Sequence, residues 1–301
     1  RAGFPIFDVS YNKSTTSTII TVKQVQKTSQ TVHLFKMPVH IQVHYLDGSF
    51  EDKLVWINEA TTTITFENPD KKEVTFVLFD PNSMVYAKVD FIKEYTELKY
   101  QAFNAPNMLD RYDAIVLMRD IPIDKKRDDL IALYNKEKFY GIKTEIISQL
   151  SNDDNKASIA VLKTALQDKD ALVRRSVISN LQTLPKALEK DVPAMFADSN
   201  YTNVEIALVK LSKINPEKTK KYLELTANQI GSTNNIRIAW LELANRENKN
   251  QEISPLVAFA GSGYEFRTRN AAFNALVSLN YCDETVVANL FNALISGNHR
   301  L

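Results

Sequence analysis

Cysteine and glycine are scarce in this chain of 301 residues, which contains one cysteine, Cys282, and seven glycines. A single cysteine excludes an internal disulfide and, with it, the class of small domains that disulfides hold together. The closest glycine pair, Gly261 and Gly263, lacks the lysine of a phosphate-binding P-loop and the strand that precedes one. We therefore interpret this pair as a turn between helices.

Long apolar runs and an excess of one charge are also absent. No run approaches the roughly 18 apolar residues of a membrane helix. The chain has 37 Lys and Arg against 36 Asp and Glu, and its net charge of +1 creates no field that attracts nucleic acid or an acidic membrane. We therefore expect no nucleic-acid partner and no membrane span.

The histidines do not form a recognisable metal-binding motif. There are four of them, namely His33, His40, His44 and His299. His40 and His44 have the spacing of a zinc helix, but Ile41 stands where that motif requires glutamate. Their segment alternates like a strand, and four strand residues span about 13 Å, too far for both rings to bind one zinc. We expect two solvent-facing histidines and no cofactor or metal bound by this chain.

A cluster of charged residues follows residue 109, where Asp110, Asp113 and Asp120 surround Arg111 and Arg119. Spacings of three and four residues bring such side chains together along one face of a helix. We interpret the cluster as a solvated, ion-paired helix face and not as a general acid/base pair.

The first hundred residues alternate as β-strands do. Between residues 39 and 45, Val39, Ile41, Val43 and Tyr45 point to one face, with polar residues between them, and Asp47-Gly48 then supplies a hairpin turn. Six or seven short strands, with turns about every ten residues, predict an immunoglobulin-like β-sandwich domain in residues 1–99.

The remaining residues, 100–301, have helical periodicity and an internal repeat. Similar segments end at Leu150, Leu181, Leu211, Leu243 and Leu276, which lie 30 to 33 residues apart. A steady period of this length predicts stacked helix pairs, although HEAT repeats are usually about 40 residues long. The predicted fold class is therefore multidomain β + α: a β-sandwich followed by an α-helical HEAT-like repeat solenoid.

Arginines recur near equivalent positions of these repeats, and stacked repeats place equivalent positions in a row. We predict that such a row engages carboxylates of peptides or of a partner domain. The alternative is that each arginine pairs with a neighbouring acid or caps a helix. The row comprises Arg174, Arg175, Arg237, Arg267 and Arg269.

Short motifs along nearly the whole chain resemble, in order, the C-terminal half of zinc aminopeptidases of the aminopeptidase N type (the gluzincin aminopeptidase family). They are GFPIFDV at 3–9, TVKQVQ at 21–26, MPVHI at 37–41, FDPN at 79–82 and DRYDA at 110–114. The H-E-x-x-H zinc helix, the downstream glutamate ligand and the G-x-M-E-N motif of the family are absent from this sequence. A YRVNY strand of many members corresponds to MVYAKV at 84–89.

The resemblance implies a parent metallopeptidase that removes N-terminal residues from peptides with a zinc-activated water. It also implies an upstream catalytic domain of the same polypeptide as partner, peptides as the parent's substrates, and a helical domain that covers the active site. Arg1 in place of Met, and the lack of a polar capping repeat before Leu301, lead us to expect a processed or excised piece. The chain by itself should be inactive.

Two other functions are open at this stage. One is a stand-alone or catalytically inactive scaffold that binds peptides or proteins through the solenoid. The other is a carbohydrate-binding sandwich, which would need an exposed aromatic platform. Trp56, the only tryptophan of residues 1–99, lies in an apolar strand.

Overall fold

The computed structural model describes residues 3–30, 32–247, 253–298 and 300. Its strands all precede its helices and form two sheets, with the strand orders β5-β2-β1-β7 and β4-β3-β6. Every pairing within the sheets is antiparallel except that of β1 with β7, which is parallel. The strands are β1 (Ile6–Lys13), β2 (Ser17–Gln24), β3 (Met37–Tyr45), β4 (Phe50–Ile57), β5 (Thr61–Glu67), β6 (Val74–Phe79) and β7 (Lys88–Phe91).

The two sheets pack as a sandwich around one apolar core. The alternating residues predicted to share a face of β3 are all buried in it, and Phe7 and Phe66 of the other sheet are fully enclosed there. A strand alternates its side chains between two faces, so the apolar period of two in the sequence positions this core directly. The predicted strand alternation is confirmed.

His44 does not face solvent, so the interpretation of two solvent-facing histidines is wrong for this residue. Its ring is buried and stacked between those of Phe50 and Phe76, with centroid separations of 5.0 and 4.3 Å. Alternation correctly assigns His44 to the outer face of its sheet, but that face is covered at β6, where Phe76 packs with Ala105 beyond the first helix. Burial lowers the pKa of His44 to about 4. His40 is exposed and bonds Asp52 at 2.6 Å.

Twelve α-helices follow in the described residues. They are α1 (Tyr95–Asn104), α2 (Met108–Leu117), α3 (Ile123–Lys136), α4 (Tyr140–Leu150), α5 (Lys156–Ala165), α6 (Ala171–Asn180), α7 (Tyr201–Ile214), α8 (Thr219–Thr226), α9 (Asn235–Glu247), α10 (Ser254–Phe259), α11 (Phe266–Ser278) and α12 (Glu284–Ile295). None of these helices has the length and apolarity that crossing a bilayer requires.

The chain divides into two compact units, Arg1–Ile146 and Ile147–Leu301. The first unit contains both sheets and α1 to α3, and α4 runs across the division. The predicted domain ranges, 1–99 and 100–301, describe the change from strand to helix and stay a prediction.

Within the second unit, α6, α7, α9 and α11 pack on one another in chain order. Polar side chains cap the first turns of α6 and α7: Asp170 accepts a hydrogen bond from the backbone N–H of Leu172, and Asn200 accepts one from that of Thr202. These two residues therefore mark where α6 and α7 begin.

Candidate functional site

Arg174 of α6 forms a bidentate ion pair with Asp198. Its Nε and Nη2 donate to the two carboxylate oxygens at 2.6 and 2.7 Å, and its Nη1 donates to the carbonyls of Asp168 and Lys169. Burial alone would raise the pKa of Asp198, but the bonds from Arg174, the Asn200 N–H and Asn203 together lower it. This arginine holds α6 against the segment before α7.

The other predicted arginines have different surroundings. Arg175 donates to Asn203 at 2.8 Å, and Arg269 is buried and donates to the Ala260 carbonyl at 3.1 Å. Arg237 lies over the ring of Trp240 at 4.6 Å, whereas Arg267 is exposed. Thus three of the five tie helices together, and Arg267 is the one presented most openly to solvent. A peptide- or partner-facing row stays a prediction.

No group of three His, Cys, Asp or Glu side chains within the described ranges could hold a metal ion. Cys282 is exposed, and His299 lies outside the described residues. The unusual side-chain and backbone environments of this chain are found instead around a cavity of the first unit.

This cavity, of about 330 Å³, lies between the end of β6, the segment 80–93 and helices α1 and α2. Small-molecule sites typically begin at this volume and combine apolar walls with a few convergent polar groups. Its polar lining comprises Asp80, Ser83, Lys93, Gln101, Asp110 and Asp113, and its apolar lining includes Val85, Val89, Phe91, Val116 and Leu117.

The segment that starts the cavity wall has an unusual backbone. Asp80, Asn82 and Ser83 have φ of 54°, 64° and 49°, the left-handed region that side chains with a Cβ rarely adopt. The Asp80 carboxylate accepts hydrogen bonds from the N–H groups of Met84 and Val85 at 3.2 and 2.9 Å, which fixes the turn. Burial raises the pKa of Asp80 despite these bonds. Such strain clusters at functional sites.

Lys93 places an ammonium group in this cavity. Its Nζ donates to the Val77 carbonyl at 2.7 Å and to the Gln101 side chain at 2.5 Å, and it lies 4.5 Å from the centre of the Phe91 ring. Burial lowers the pKa of Lys93 to about 8, and nearby carboxylates, Glu97 foremost, oppose this shift without cancelling it.

The acidic cluster differs in part from the solvated, paired face that the sequence indicated, because Asp110 is buried whereas Asp113 and Asp120 are exposed. Arg111 pairs with Glu137 at 3.2 Å and Arg119 pairs with Glu145 at 2.5 Å, so tertiary partners replace the expected neighbours on the helix. The consequence is that α2 presents Asp110 and Asp113 toward the cavity, where Lys93 is the one cation among the lining residues.

Asp110 and Asp113 differ in how their charge is satisfied. Asp110 is buried and accepts hydrogen bonds from the Asn82 N–H at 2.8 Å and the Asn107 side chain at 2.9 Å. Asp113 retains solvent contact, and within the described ranges no group donates a hydrogen bond to it or forms an ion pair with it. Desolvation of its carboxyl group and the Asp110 carboxylate raise the pKa of Asp113, and the Lys93 ammonium opposes this shift.

Two apolar side chains of the cavity wall reach solvent, since Val89 and Leu117 are 37% and 50% exposed. Met84, Tyr86 and Ile92, in the same segment as Val89, are 75%, 84% and 95% exposed, but none of them lines the cavity. Exposed apolar groups gathered beside polar ones are typical of binding sites.

This site could not be predicted from the sequence, because its residues lie far apart in the chain. FDPN at 79–82 and the charged cluster with Asp110 and Asp113 pointed to parts of it, but nothing in their patterns places them together.

No model of a protein family matches this chain, and no curated protein sequence does. Its structure resembles that of Legionella pneumophila aminopeptidase A, solved in complex with aspartic acid, with a TM-score of 0.53 and 15% sequence identity. The match covers 92% of this chain and 39% of that chain, so this chain spans about two-fifths of the aminopeptidase's length. At this identity the likeness shows the fold: two sheets followed by helices.

Proposed function

We propose that the chain is the non-catalytic C-terminal region of a zinc aminopeptidase that removes N-terminal residues from peptides. The observation that carries this proposal is the structural likeness to part of an aminopeptidase over 92% of the chain. The ordered motifs of the sequence support the same parent protein independently of the fold.

In this proposal the two sheets form an immunoglobulin-like sandwich that acts as a spacer. The helices after it form a HEAT-like solenoid that covers the active site and limits the access of substrates. The packing of α6, α7, α9 and α11 in chain order supports such an array, because stacked repeats contact their neighbours in sequence.

Zinc and the catalytic groups would belong to a domain upstream in the same polypeptide, because H-E-x-x-H does not occur in this sequence. Peptide substrates would meet this region on their way to that domain. Arg267, exposed on α11, would be the residue of the arginine row best placed to contact a peptide carboxylate.

The test is hydrolysis of a ladder of peptides by the full-length product, beside the 301-residue chain. We expect the longer protein to release N-terminal residues with rates that fall with peptide length, and the shorter chain to release none. In the longer protein, Arg267→Glu should raise KM for peptides with acidic C-termini, while Arg246→Glu, already paired with Glu242 within α9, should not. Activity that is independent of peptide length would remove the proposed role of the helices.

A scaffold without catalysis is the alternative, and helix α12 favours it. Val287, Leu290, Phe291, Leu294 and Ile295 follow a helical spacing and are 46% to 81% exposed. An apolar face of this kind marks a contact with another helix or protein. Absence of zinc and of activity from the full-length product would select this alternative.

A carbohydrate-binding sandwich also gains one observation. Trp56 is 60% exposed, and Phe50 and Leu54 share its face of β4. The structure therefore contains an exposed aromatic residue that such a site requires. Titration of the chain with cellulose-, chitin- and mannan-derived oligosaccharides, read by the fluorescence of Trp56 in a Trp240→Phe background, decides this possibility.

A further inference from the structure

The cavity of the first unit has an unbalanced set of charges. Three carboxylates line it against one ammonium, that of Lys93. Asp80 and Asp110 already accept hydrogen bonds from the segment 82–85, and Lys93 is held by Val77, Gln101 and the Phe91 ring. One strong acceptor, Asp113, is left for a ligand.

We propose that this cavity binds a primary ammonium group carried on an alkyl chain, with Asp113 as its anchor. Two sources share that chemistry: the side chain of a lysine in a peptide, and a free alkylamine. This site lies outside the proposed peptidase activity and does not depend on it.

The electrostatics of the lining favour a cation. Burial raises the pKa values of both Asp80 and Asp113, and the Lys93 ammonium opposes the shift of Asp113 without cancelling it. An ammonium beside Asp113 would compensate its negative charge through a charge-assisted hydrogen bond. The Ser83 hydroxyl, which lines the same cavity and makes no hydrogen bond within the described ranges, offers a second acceptor.

The walls favour an alkyl chain over a small hydrated ion. Val85, Val89 and Leu117 line the space beside the carboxylates. A hydrated metal ion would gain nothing from these walls, whereas each methylene removed from water strengthens binding about fourfold. A cavity of about 330 Å³ holds one extended side chain.

The apolar residues at the mouth extend this argument to a peptide. Val89 and Leu117 line the cavity and also reach solvent, where residues flanking an inserted lysine would lie. A free amine would contact only the walls inside the cavity, whereas the residues that flank a lysine would also contact the exposed parts of these two side chains.

The test uses the whole 301-residue chain and calorimetric titration with n-butylammonium, n-butanol, and the capped peptides acetyl-Met-Lys-Leu-amide and acetyl-Met-norleucine-Leu-amide. We expect the two ammonium ligands to bind and the two neutral ligands not to bind. Tighter binding of the lysine peptide than of butylammonium identifies the peptide as the source. The reverse order identifies a free amine.

Asp113→Asn keeps the shape of the anchor and removes its charge, and we expect it to weaken ammonium binding about tenfold or more. Asp120→Asn is the matched control, because Asp120 is an exposed carboxylate just after α2 that does not line the cavity. It should leave binding unchanged.

A second variant, Leu117→Ala, tests the apolar wall without touching a charge, and it should weaken butylammonium binding about threefold or more. Melting temperatures of all variants confirm that each is folded. The proposal is overturned if butylammonium fails to bind, if n-butanol binds equally well, or if Asp113→Asn and Asp120→Asn have the same affinity.

Discussion

Replacement of Lys93 by methionine removes the ammonium of the cavity while nearly preserving the length of the side chain. The pKa of Lys93 is about 8 in the folded chain, against an ordinary value of 10.5. In the unfolded chain this lysine therefore holds its proton over a range of pH in which the folded chain has released it. The charged form of Lys93 thus opposes folding at neutral pH, by at most about 3 kcal/mol.

The sign of the pH dependence follows from that difference. Because the unfolded chain binds more protons between pH 8 and 10.5, the free energy of unfolding should increase as the pH rises through this window. Between pH 7 and 9.5 the increase should be about 2 kcal/mol. Above pH 10 the ionisation of tyrosines complicates the curve, so pH 9.5 is the upper limit of the measurement.

The assay is urea unfolding at pH 7.0, 8.0, 9.0 and 9.5, followed by pulsed hydrogen exchange on peptides from β6 and α1. These peptides report on the unit that contains Lys93, which matters because the chain has two compact units. Lys93→Met should lack the increase that the unsubstituted chain shows. Lys99→Met, which removes an exposed lysine of α1 paired with Asp129, is the matched control and should retain it. Parallel curves for the Lys93→Met variant and the unsubstituted chain would show that Lys93 is not the source of the pH dependence.

Three further predictions concern other parts of the molecule. Arg174→Met should lower the free energy of unfolding of the second unit by about 3 kcal/mol, since it leaves a buried carboxylate unpaired. Arg175→Met removes bonds to neutral amides only, and it should lower the free energy of unfolding by about 1 kcal/mol in the same urea titration. Equal losses for the two variants would contradict the larger contribution expected of the Arg174 ion pair. The pKa of His44 should be near 4 by NMR, and stability should fall by about 2 kcal/mol, after allowance for solvent screening, as the pH drops from 6.5 to 4; titration near 6.5 would show that the ring is not buried. Leu294→Glu on α12 should change the free energy of unfolding by less than about 0.5 kcal/mol, and a larger loss would mean that this face is covered.

The strand region could be predicted from the sequence because its information is local. Val39, Ile41 and Val43 alternate with polar residues, and a period of two has one structural interpretation when turns flank it. The same rule placed His44 on the outer face. It could not reveal that Phe76 and α1 cover that face, because such coverage depends on a part of the chain some 30 to 60 residues away.

The cavity could not be predicted from local sequence patterns, because it also depends on contacts between distant parts of the chain. Asp110 and Arg111 have a local pattern that is compatible with a solvated helix, and the pattern contains nothing about Glu137, which pairs with Arg111. The left-handed backbone at Asp80 is not marked by a glycine in the sequence. Contacts between residues distant in the sequence therefore determine which carboxylates lack an ion-pair partner.

The proposal that this chain is the accessory region of a zinc aminopeptidase is best tested by the zinc content and aminopeptidase activity of the full-length gene product beside the 301-residue chain. We expect one equivalent of zinc and N-terminal cleavage of peptides in the full-length product, with neither in the shorter chain. A full-length product with neither zinc nor activity would exclude the aminopeptidase and leave a binding scaffold built on this fold.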